Sequence, residues 1–196
     1  LLDGEWQRCC AQVREMPYTY RHKFIHFKFL HQFYYSPCTL AKFGTKSTAA
    51  CCRCGREQAD FFHLAWDCPP IYRYWSEIFE RLAEILESTP QMDPVLALLG
   101  DVYACPAGER RLLSAALVLA KRRVAIKWMR TSVPTVEEWL CDITYCANTL
   151  ERYWDTLPGA SRPRDIWGPL REYLRKHTKG GEEEEERGEI EILTEG

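Results

Sequence analysis

Residues 51–68 read CCRCGREQADFFHLAWDC, a C-x2-C-x8-H-x4-C pattern. A structural zinc ion needs four soft or borderline ligands in a tetrahedron. The C-x2-C pair supplies two thiolates from one tight turn, which Gly55 helps the backbone to make, and the later histidine and cysteine supply the other two ligands. The spacing therefore predicts a structural Zn²⁺ site, whose ligands are Cys51, Cys54, His63 and Cys68.

Two alternatives concern the same cysteines. Cys52 offers a competing thiolate beside Cys51, but its C-x1-C spacing to Cys54 is poor for chelation, so we assign Cys51 as the ligand. The other alternative is that these residues are small apolar cysteines and a core histidine with no metal.

The composition bounds the class of protein. The chain has 196 residues, of which 46% are apolar and 13% aromatic, so it can bury a core in one or two domains without a metal. It begins without a secretory leader pattern and its longest apolar run, 112–120, is too short for a bilayer span, so we expect a soluble fragment of a longer protein. Reduced thiols of the cytoplasm or nucleus are expected, because five of the ten cysteines lie in helix-like sequence: Cys9, Cys10, Cys105, Cys141 and Cys146.

Apolar residues recur at helical spacing and predict a mainly α fold. Ser36-Pro37 and the capping box from Thr135 to Glu138 mark helix starts, and Gly44 marks an end. The predicted helices cover 3–15, part of 18–35, 37–43, 69–87, 94–99, 109–130, 136–156 and 164–177. We divide the chain into an aromatic and basic helical segment (1–50), the zinc motif (51–70), a helical bundle region (71–177) and a disordered acidic tail (178–196).

The tail differs sharply in charge from the rest. Residues 178–196 contain eight Glu against Lys179 and Arg187, so residues 1–177 carry 24 basic and 20 acidic side chains. The glutamate run cannot bury enough apolar surface to offset its ordering entropy, which predicts disorder. One hypothesis is that this tail competes with nucleic acid for the basic body; the alternative is a merely solvating extension.

The segment from Met16 to Arg56 has seven Lys or Arg, three His and nine Phe or Tyr, with no Asp or Glu. Cations displace counterions from phosphates and flat rings stack on unpaired bases, so this segment predicts nucleic-acid binding. The alternative is that the rings form a core and the cations its solvated side. The candidate residues here are Arg21, Lys23, Lys28, Lys42, Lys46, Arg53 and Arg56.

A second basic patch lies on the predicted helix 109–130, where Lys121-Arg122-Arg123 is followed by two more cations. At helical spacing three of them share one face and could follow a phosphate backbone. Ordinary solvated helix surface, or a nuclear-localisation signal, would give the same pattern. The candidates in this patch are Arg123, Lys127 and Arg130.

Several motifs follow in a fixed order along the chain. They are Tyr34-Tyr35-Ser36-Pro37, Leu40-Ala41-Lys42-Phe43-Gly44, the Cys51–Cys68 motif with His63-Leu64-Ala65-Trp66-Asp67-Cys68-Pro69, Tyr74-Trp75, Leu119-Ala120-Lys121-Arg122-Arg123 with Lys127-Trp128, and Pro134-Thr135 with Glu138-Trp139-Leu140. In this order and spacing the sequence resembles the C-terminal segment of LINE-type non-LTR retrotransposon polyproteins, over about residues 5–157.

The resemblance implies a function. In that family the segment follows the endonuclease and reverse transcriptase domains and is taken to bind element RNA or target DNA during target-primed reverse transcription. The family's Cys-Cys-His-Cys set matches the four ligands above. The expected partners are RNA or DNA and the rest of the polyprotein, with no membrane. Residues after about 158 have no counterpart that the resemblance supplies.

We expect no catalysis by this chain itself. It has no Tyr/Phe-x-Asp-Asp string to hold polymerase metals and lacks the acidic and histidine set of the endonuclease. Four protein ligands would leave a zinc ion no open position for water. Two alternatives remain, a zinc-stabilised protein-interaction or scaffold module and a standalone zinc enzyme with fewer protein ligands.

Overall fold

The computed structural model describes residues 3–15, 19–155 and 166–177. As the sequence predicted, the fold is mainly α, and these ranges contain no β-strand. The predicted disordered tail, 178–196, lies outside the described residues. The helices are α1 (Asp3–Glu15), α2 (Tyr20–Leu30), α3 (Pro37–Lys42), α4 (Pro69–Leu86), α5 (Arg110–Ile126), α6 (Val136–Asp155) and α7 (168–177).

Three shorter helical segments connect them. His63–Asp67 and Val95–Leu99 are π-helical turns, and Val102–Ala104 is a 3₁₀ turn. Gly100 ends the second π-turn with a φ of +75°, as the sequence predicted for the end of that segment. Among the described helices, none has the length and apolar character that crossing a bilayer requires.

Local capping sets several of the helix limits. The Ser36 hydroxyl accepts a hydrogen bond from the Thr39 backbone N–H at 3.3 Å, with Pro37 as the first residue of α3. At the start of α6, the Glu138 N–H donates to the Thr135 hydroxyl at 3.3 Å, and the Thr135 N–H donates to the Glu138 carboxylate at 3.2 Å. This reciprocal pair is the predicted capping box.

Helix α5 is the centre of the fold. Every residue from Leu112 to Lys121 is buried, because α2, α4, α6 and the second π-turn pack around this helix. Two large side chains also bond its backbone: the Trp139 indole donates to the Ala116 carbonyl at 2.9 Å, and the Tyr74 hydroxyl donates to the Ala120 carbonyl at 3.3 Å. A helix buried on all sides in this way is a core helix.

Lys121, which the sequence grouped with the second basic patch of this helix, is not on the surface. Lys121 is fully buried, hydrogen-bonds the ring of His26 through Nδ1, and donates to the Leu98 carbonyl at 3.0 Å. Burial lowers the pKa of the Lys121 amine to about 7, because the charged form loses its hydration. Its partner His26 is one of the buried residues of α2, whereas Phe24 and Phe27 of the same helix are exposed.

Helix α5 also ends earlier than predicted, at Ile126, and Trp128 then turns into a cluster of aromatic rings. Its ring lies 6.2 Å from Phe29, 5.3 Å from Tyr34 and 5.1 Å from Phe61, measured between centroids. Its indole N–H donates to the Tyr35 carbonyl at 2.8 Å. The end of α2, the end of α5 and the segment before the first π-turn therefore meet at one residue.

Helix α7 packs on α4 and begins at residue 168, later than the predicted 164. Its inward side carries the buried Leu170 and Tyr173, and Trp167, just before the helix, is also buried. Arg81 of α4 donates to the Tyr173 hydroxyl at 2.7 Å, which fixes the register of the two helices.

Candidate metal centre

The first two cysteines of the motif lie in one tight loop. The Gly55 N–H donates to the Cys51 carbonyl at 3.0 Å, and the Cys51 N–H donates to the Arg56 carbonyl at 2.9 Å. Gly55 has a φ of +75°, a left-handed conformation that favours glycine. The Arg53 N–H also points at the Cys51 sulfur, at 3.5 Å. The loop therefore directs both Cys51 and Cys54 toward the same point.

The second pair is set by the first π-turn. Its i→i+5 bond joins the Cys68 N–H to the His63 carbonyl at 2.8 Å, so these two residues lie one turn apart on the same side. The Asp60 carboxylate accepts the His63 N–H at 2.7 Å and fixes the start of the turn. The x4 spacing of the motif is thus the spacing of a π-turn, which we did not predict.

The four side chains converge. One ligand atom from each lies within 4.8 Å of the others, close enough to hold a metal ion. The sulfurs of Cys51 and Cys68 are 3.8 Å apart, and the sulfur of Cys54 lies 3.3 Å from His63 Nε2. Cys51, His63 and Cys68 are buried whereas Cys54 is exposed, so an ion would reach the cluster from the Cys54 side.

The protonation of the cluster follows from its environment. Burial opposes ionisation of Cys51, but hydrogen bonds from the backbone N–H groups of Cys54 and Arg53, together with those from the Cys68 and Cys54 thiols, hold the pKa of Cys51 below its usual value. Burial, followed by the negative charge on Cys51, raises the pKa of Cys68 to about 12. Burial and the Arg56 charge lower the pKa of His63, which keeps its ring neutral. A neutral imidazole and thiolates are the forms that bind metals, and a cation in the cluster would replace the Cys68 proton.

Arg56 contacts His63 at the ring nitrogen that faces away from Cys54. Its guanidinium lies 3.3 Å from His63 Nδ1 and 3.9 Å from the Asp67 carboxylate. A metal bound at Nε2 places the ring proton on Nδ1, which then cannot accept from Arg56. Arg56 would then keep its contact with Asp67.

The structure separates Cys52 from the cluster. Its sulfur contacts the Arg130 carbonyl at 3.3 Å, on the other side of the loop from Cys51. Cys52 is therefore not positioned to compete for the ion, which agrees with the ligand assignment from spacing.

Most candidate cations near α5 are held by groups of this chain. Arg123 makes a bidentate ion pair with Asp142, at 2.6 and 2.7 Å, and the Lys127 amine contacts both oxygens of Glu138 at 2.8 Å. Arg53 donates to the Lys127 and Trp128 carbonyls at 2.6 and 3.0 Å, which caps the C-terminal end of α5. Arg130 is exposed.

The cations of α2, of α3 and of the segment just after α3 have a different environment. Arg21 and Lys42 are exposed, and Lys23 and Lys46 are half-buried. The Lys28 amine lies over two rings, 4.6 Å from the centroid of Phe24 and 5.3 Å from that of Tyr34.

Exposed rings lie in the same part of the chain as these cations, and counting residue types alone could not tell which rings would be exposed. Tyr20 is 82% exposed and its ring is nearly parallel to that of Phe24, with centroids 6.3 Å apart and planes at 8°. We call the set the ring surface; it comprises Tyr20, Phe24, Phe27, His31, Phe33, Tyr35 and Phe43. Phe62 is also exposed, but it lies outside the segment from Met16 to Arg56 that has no acidic residue, so the sequence pattern did not indicate it.

No model of a known protein family matches this sequence.

Proposed function

We propose that the cluster of Cys51, Cys54, His63 and Cys68 binds a structural Zn²⁺ ion. Two thiolates ~2.3 Å from a tetrahedral zinc lie ~3.8 Å apart, and the Cys51–Cys68 sulfur separation is 3.8 Å. Three thiolates and one imidazole are a common donor set for structural zinc. With four protein ligands the ion has no position for water, so its task is to hold the loop and the π-turn together.

We further propose that the chain is a nucleic-acid-binding domain. The observation that carries this proposal is the ring surface, whose exposed rings share α2, α3 and their connection with the exposed Arg21 and Lys42, and where Lys28 lies over Phe24. Stacking of exposed rings on unpaired bases lowers the free energy of binding. The release of counterions when cations contact phosphates lowers it as well. Single-stranded RNA or DNA offers both groups along one chain.

The cations near α5 contribute less to this proposal. The side chains of Arg53, Arg123 and Lys127 donate to oxygens of the chain itself, so binding a phosphate would require breaking those bonds. We therefore place the interface on α2, α3 and the ring surface, with Arg130 at its limit.

The parent protein is part of the proposal. We infer a C-terminal domain of a LINE-type retrotransposon polyprotein, which positions RNA or target DNA for the reverse transcriptase during target-primed reverse transcription and has no catalysis of its own. The metal-ligand spacing and the order of motifs around it support this origin. The partners are RNA or DNA and the rest of the polyprotein.

Binding of the full chain to fluorescent single-stranded RNA and DNA at several salt concentrations tests the function. We expect affinity that falls steeply with salt, by a slope of about −0.7 in log–log form for each phosphate that the protein neutralises. Absence of binding to either strand at low salt contradicts the proposal. As a control, Arg73→Gln removes an exposed cation of α4, outside the proposed interface, and should leave the affinity and its salt dependence unchanged.

The second candidate is a zinc-stabilised protein-interaction module, because exposed rings also suit a protein partner. It predicts association that changes little with salt and no affinity for either strand. The same titration distinguishes the two candidates.

A further inference from the structure

A small cavity opens beside the C-terminal end of α2. Its volume is about 180 Å³, and apolar groups form nearly all of its wall. Gln32 supplies the polar side chain among the lining residues. Pockets for drug-sized ligands hold roughly 300–1,000 Å³, so this cavity accepts a single ring system and no more. The apolar wall consists of Phe29, Phe61, Phe62, Val95, Leu98 and Leu99, with Pro94 beside them.

The shape of the wall suits a flat group. Phe29 and Phe61 pack edge to face with centroids 5.9 Å apart, and the exposed ring of Phe62 stands at the opening. Aliphatic side chains of the second π-turn complete the wall. A planar ring inserted here would therefore contact both aromatic and aliphatic groups.

Gln32 is held in an uncommon conformation at the cavity. Its φ is +51°, a left-handed value that a residue other than glycine adopts at a cost. Two backbone bonds fix it there, from the Gln32 N–H to the Phe29 carbonyl at 3.2 Å and from the Phe33 N–H to the Lys28 carbonyl at 2.8 Å. These two bonds form a Schellman cap, in which the residue after a helix commonly takes the left-handed conformation, so the φ of Gln32 ends α2 and positions this residue beside the cavity.

The cavity adjoins the ring surface. Gln32 lies between His31 and Phe33, whose rings are stacked with centroids 5.7 Å apart. Phe27 contacts both rings, at 4.4 and 5.7 Å. A single-stranded nucleic acid that stacks one base on these rings would bring its next nucleotide to Gln32.

The nearby charges define how a strand would lie. Asp60 and Asp93 flank the cavity, but their carboxylates accept the His63 N–H at 2.7 Å and the Leu96 N–H at 3.0 Å, which makes them caps of the two π-turns. Their negative charge keeps phosphates away from that side. The phosphates would follow α2, where Lys28 lies over Phe24 and Tyr34, and only an uncharged base would enter.

We propose that this cavity binds one unpaired base of a single-stranded nucleic acid, with adenine preferred. The inference rests on the proposed nucleic-acid function and adds a base-specific site to it. Phe62 stacks on the base, and the Gln32 amide, which carries both a donor and an acceptor, matches the N6 and N7 groups of adenine. Sequence preference would therefore come from Gln32, and the ring surface would supply binding that tolerates any base.

The test uses the full chain with three twelve-residue probes: oligo(A) RNA, oligo(dA) DNA and an abasic strand of the same length. Val95→Trp fills the cavity, and Phe62→Ala removes the stacking ring. Each variant is expected to weaken oligo(A) or oligo(dA) binding about tenfold and to leave abasic-strand binding unchanged. Weaker binding with either sugar supports the proposal and identifies the strand that enters. Tyr145→Ala, at an exposed ring on α6, is the control that changes neither.

Two further measurements keep the test independent of folding defects. Gln32→Gly accepts the left-handed φ without strain and is expected to remove the preference for oligo(A) over oligo(U). In the unaltered chain, the methyl NMR resonances of Val95, Leu98 and Leu99 are expected to shift on addition of oligo(A).

If the unaltered chain binds oligo(A) but Val95→Trp and Phe62→Ala bind it equally well, the base site is wrong and the nucleic-acid function stands. Methyl resonances that stay in place while the strand binds overturn it in the same way. If the unaltered chain binds no strand at all, both proposals fail, and an apolar segment of a protein becomes the occupant to consider.

Discussion

Two regions of this protein are rich in basic residues and have different environments. The α2–α3 region carries its cations beside exposed rings, with no acidic residue between Met16 and Arg56. The α5 region carries as dense a cluster, but α6 brings Asp142 against Arg122 and Arg123, and Glu138 against Lys127. A basic cluster in a sequence therefore does not by itself indicate a binding surface, because the fold can supply carboxylates to it, as α6 does to α5.

The largest effect is expected from removing the metal, because the metal loop connects the two regions. The metal loop bonds α3, through the Cys38 N–H and the Ala59 carbonyl at 3.1 Å, and caps α5 through Arg53. Cys51→Ser is expected to lose the metal and much of the helical circular dichroism, since structural zinc supplies about 10–16 kcal/mol of apparent binding energy. Cys52→Ser, outside the cluster, should keep one equivalent of zinc. Retention of zinc and helicity by Cys51→Ser would contradict the assignment.

Lys121 extends the comparison to a basic residue that contacts neither solvent nor a carboxylate. Its folded pKa, about 7, lies below its ordinary 10.5, so between these values the unfolded chain binds a proton that the folded chain does not. Unfolding free energy should therefore rise with pH in this window, by at most about 1.4 kcal/mol per pH unit from this group. Urea unfolding at pH 7, 8 and 9 should show a smaller slope in Lys121→Met than in Lys42→Met. Equal slopes in both variants would exclude this contribution.

Asp142→Asn tests whether the α5 cations are structural. The ion pairs are partly buried, between the exposed pairs that contribute about 0–1 kcal/mol and the buried pairs whose disruption costs about 3–5 kcal/mol. We expect a decrease of about 1–3 kcal/mol in unfolding free energy, with unchanged affinity for single strands. Glu77→Gln, at an exposed position of α4, is the control. A gain in affinity would show that Arg122 and Arg123, once released, bind phosphates.

The double variant Tyr20→Ala with Phe24→Ala should lose affinity for single strands and keep its stability, the reverse of Asp142→Asn. Because both rings are exposed, their removal should leave the melting temperature near that of the unaltered chain while weakening single-strand binding about tenfold, the loss expected when alanine replaces a stacking ring. Tyr145→Ala removes an equally exposed ring from α6 and should change neither quantity. Unchanged affinity in the double variant would remove the ring surface from the interface.

The sequence contained the information that acts locally. Ser36-Pro37, Gly44 and the Thr135–Glu138 box each fix a helix limit through bonds to residues a few positions away, and the structure has those bonds. The convergence of the four metal ligands was predictable for the same reason, because C-x2-C and H-x4-C are short-range spacings that the loop and the π-turn close.

The features that sequence reasoning missed depend on distant partners. Lys121 is buried because His26 and Leu98 reach it from other elements, and Arg123 is paired because α6 returns along α5 with Asp142. The early end of α5 has a similar cause, since Trp128 packs on Phe29 and Phe61. No pattern within a single helix distinguishes these positions from solvated ones.

The most direct measurement of the central claim is the salt dependence of single-strand binding in two variants. Arg21→Gln with Lys42→Gln removes two exposed cations of the α2–α3 region, and Arg123→Gln removes a paired cation of the α5 region. We predict that the first variant lowers the log–log salt slope by about 0.7 for each phosphate that it no longer neutralises, and that the second leaves the slope unchanged. A reduced slope in Arg123→Gln alone would contradict the account and place the interface on α5.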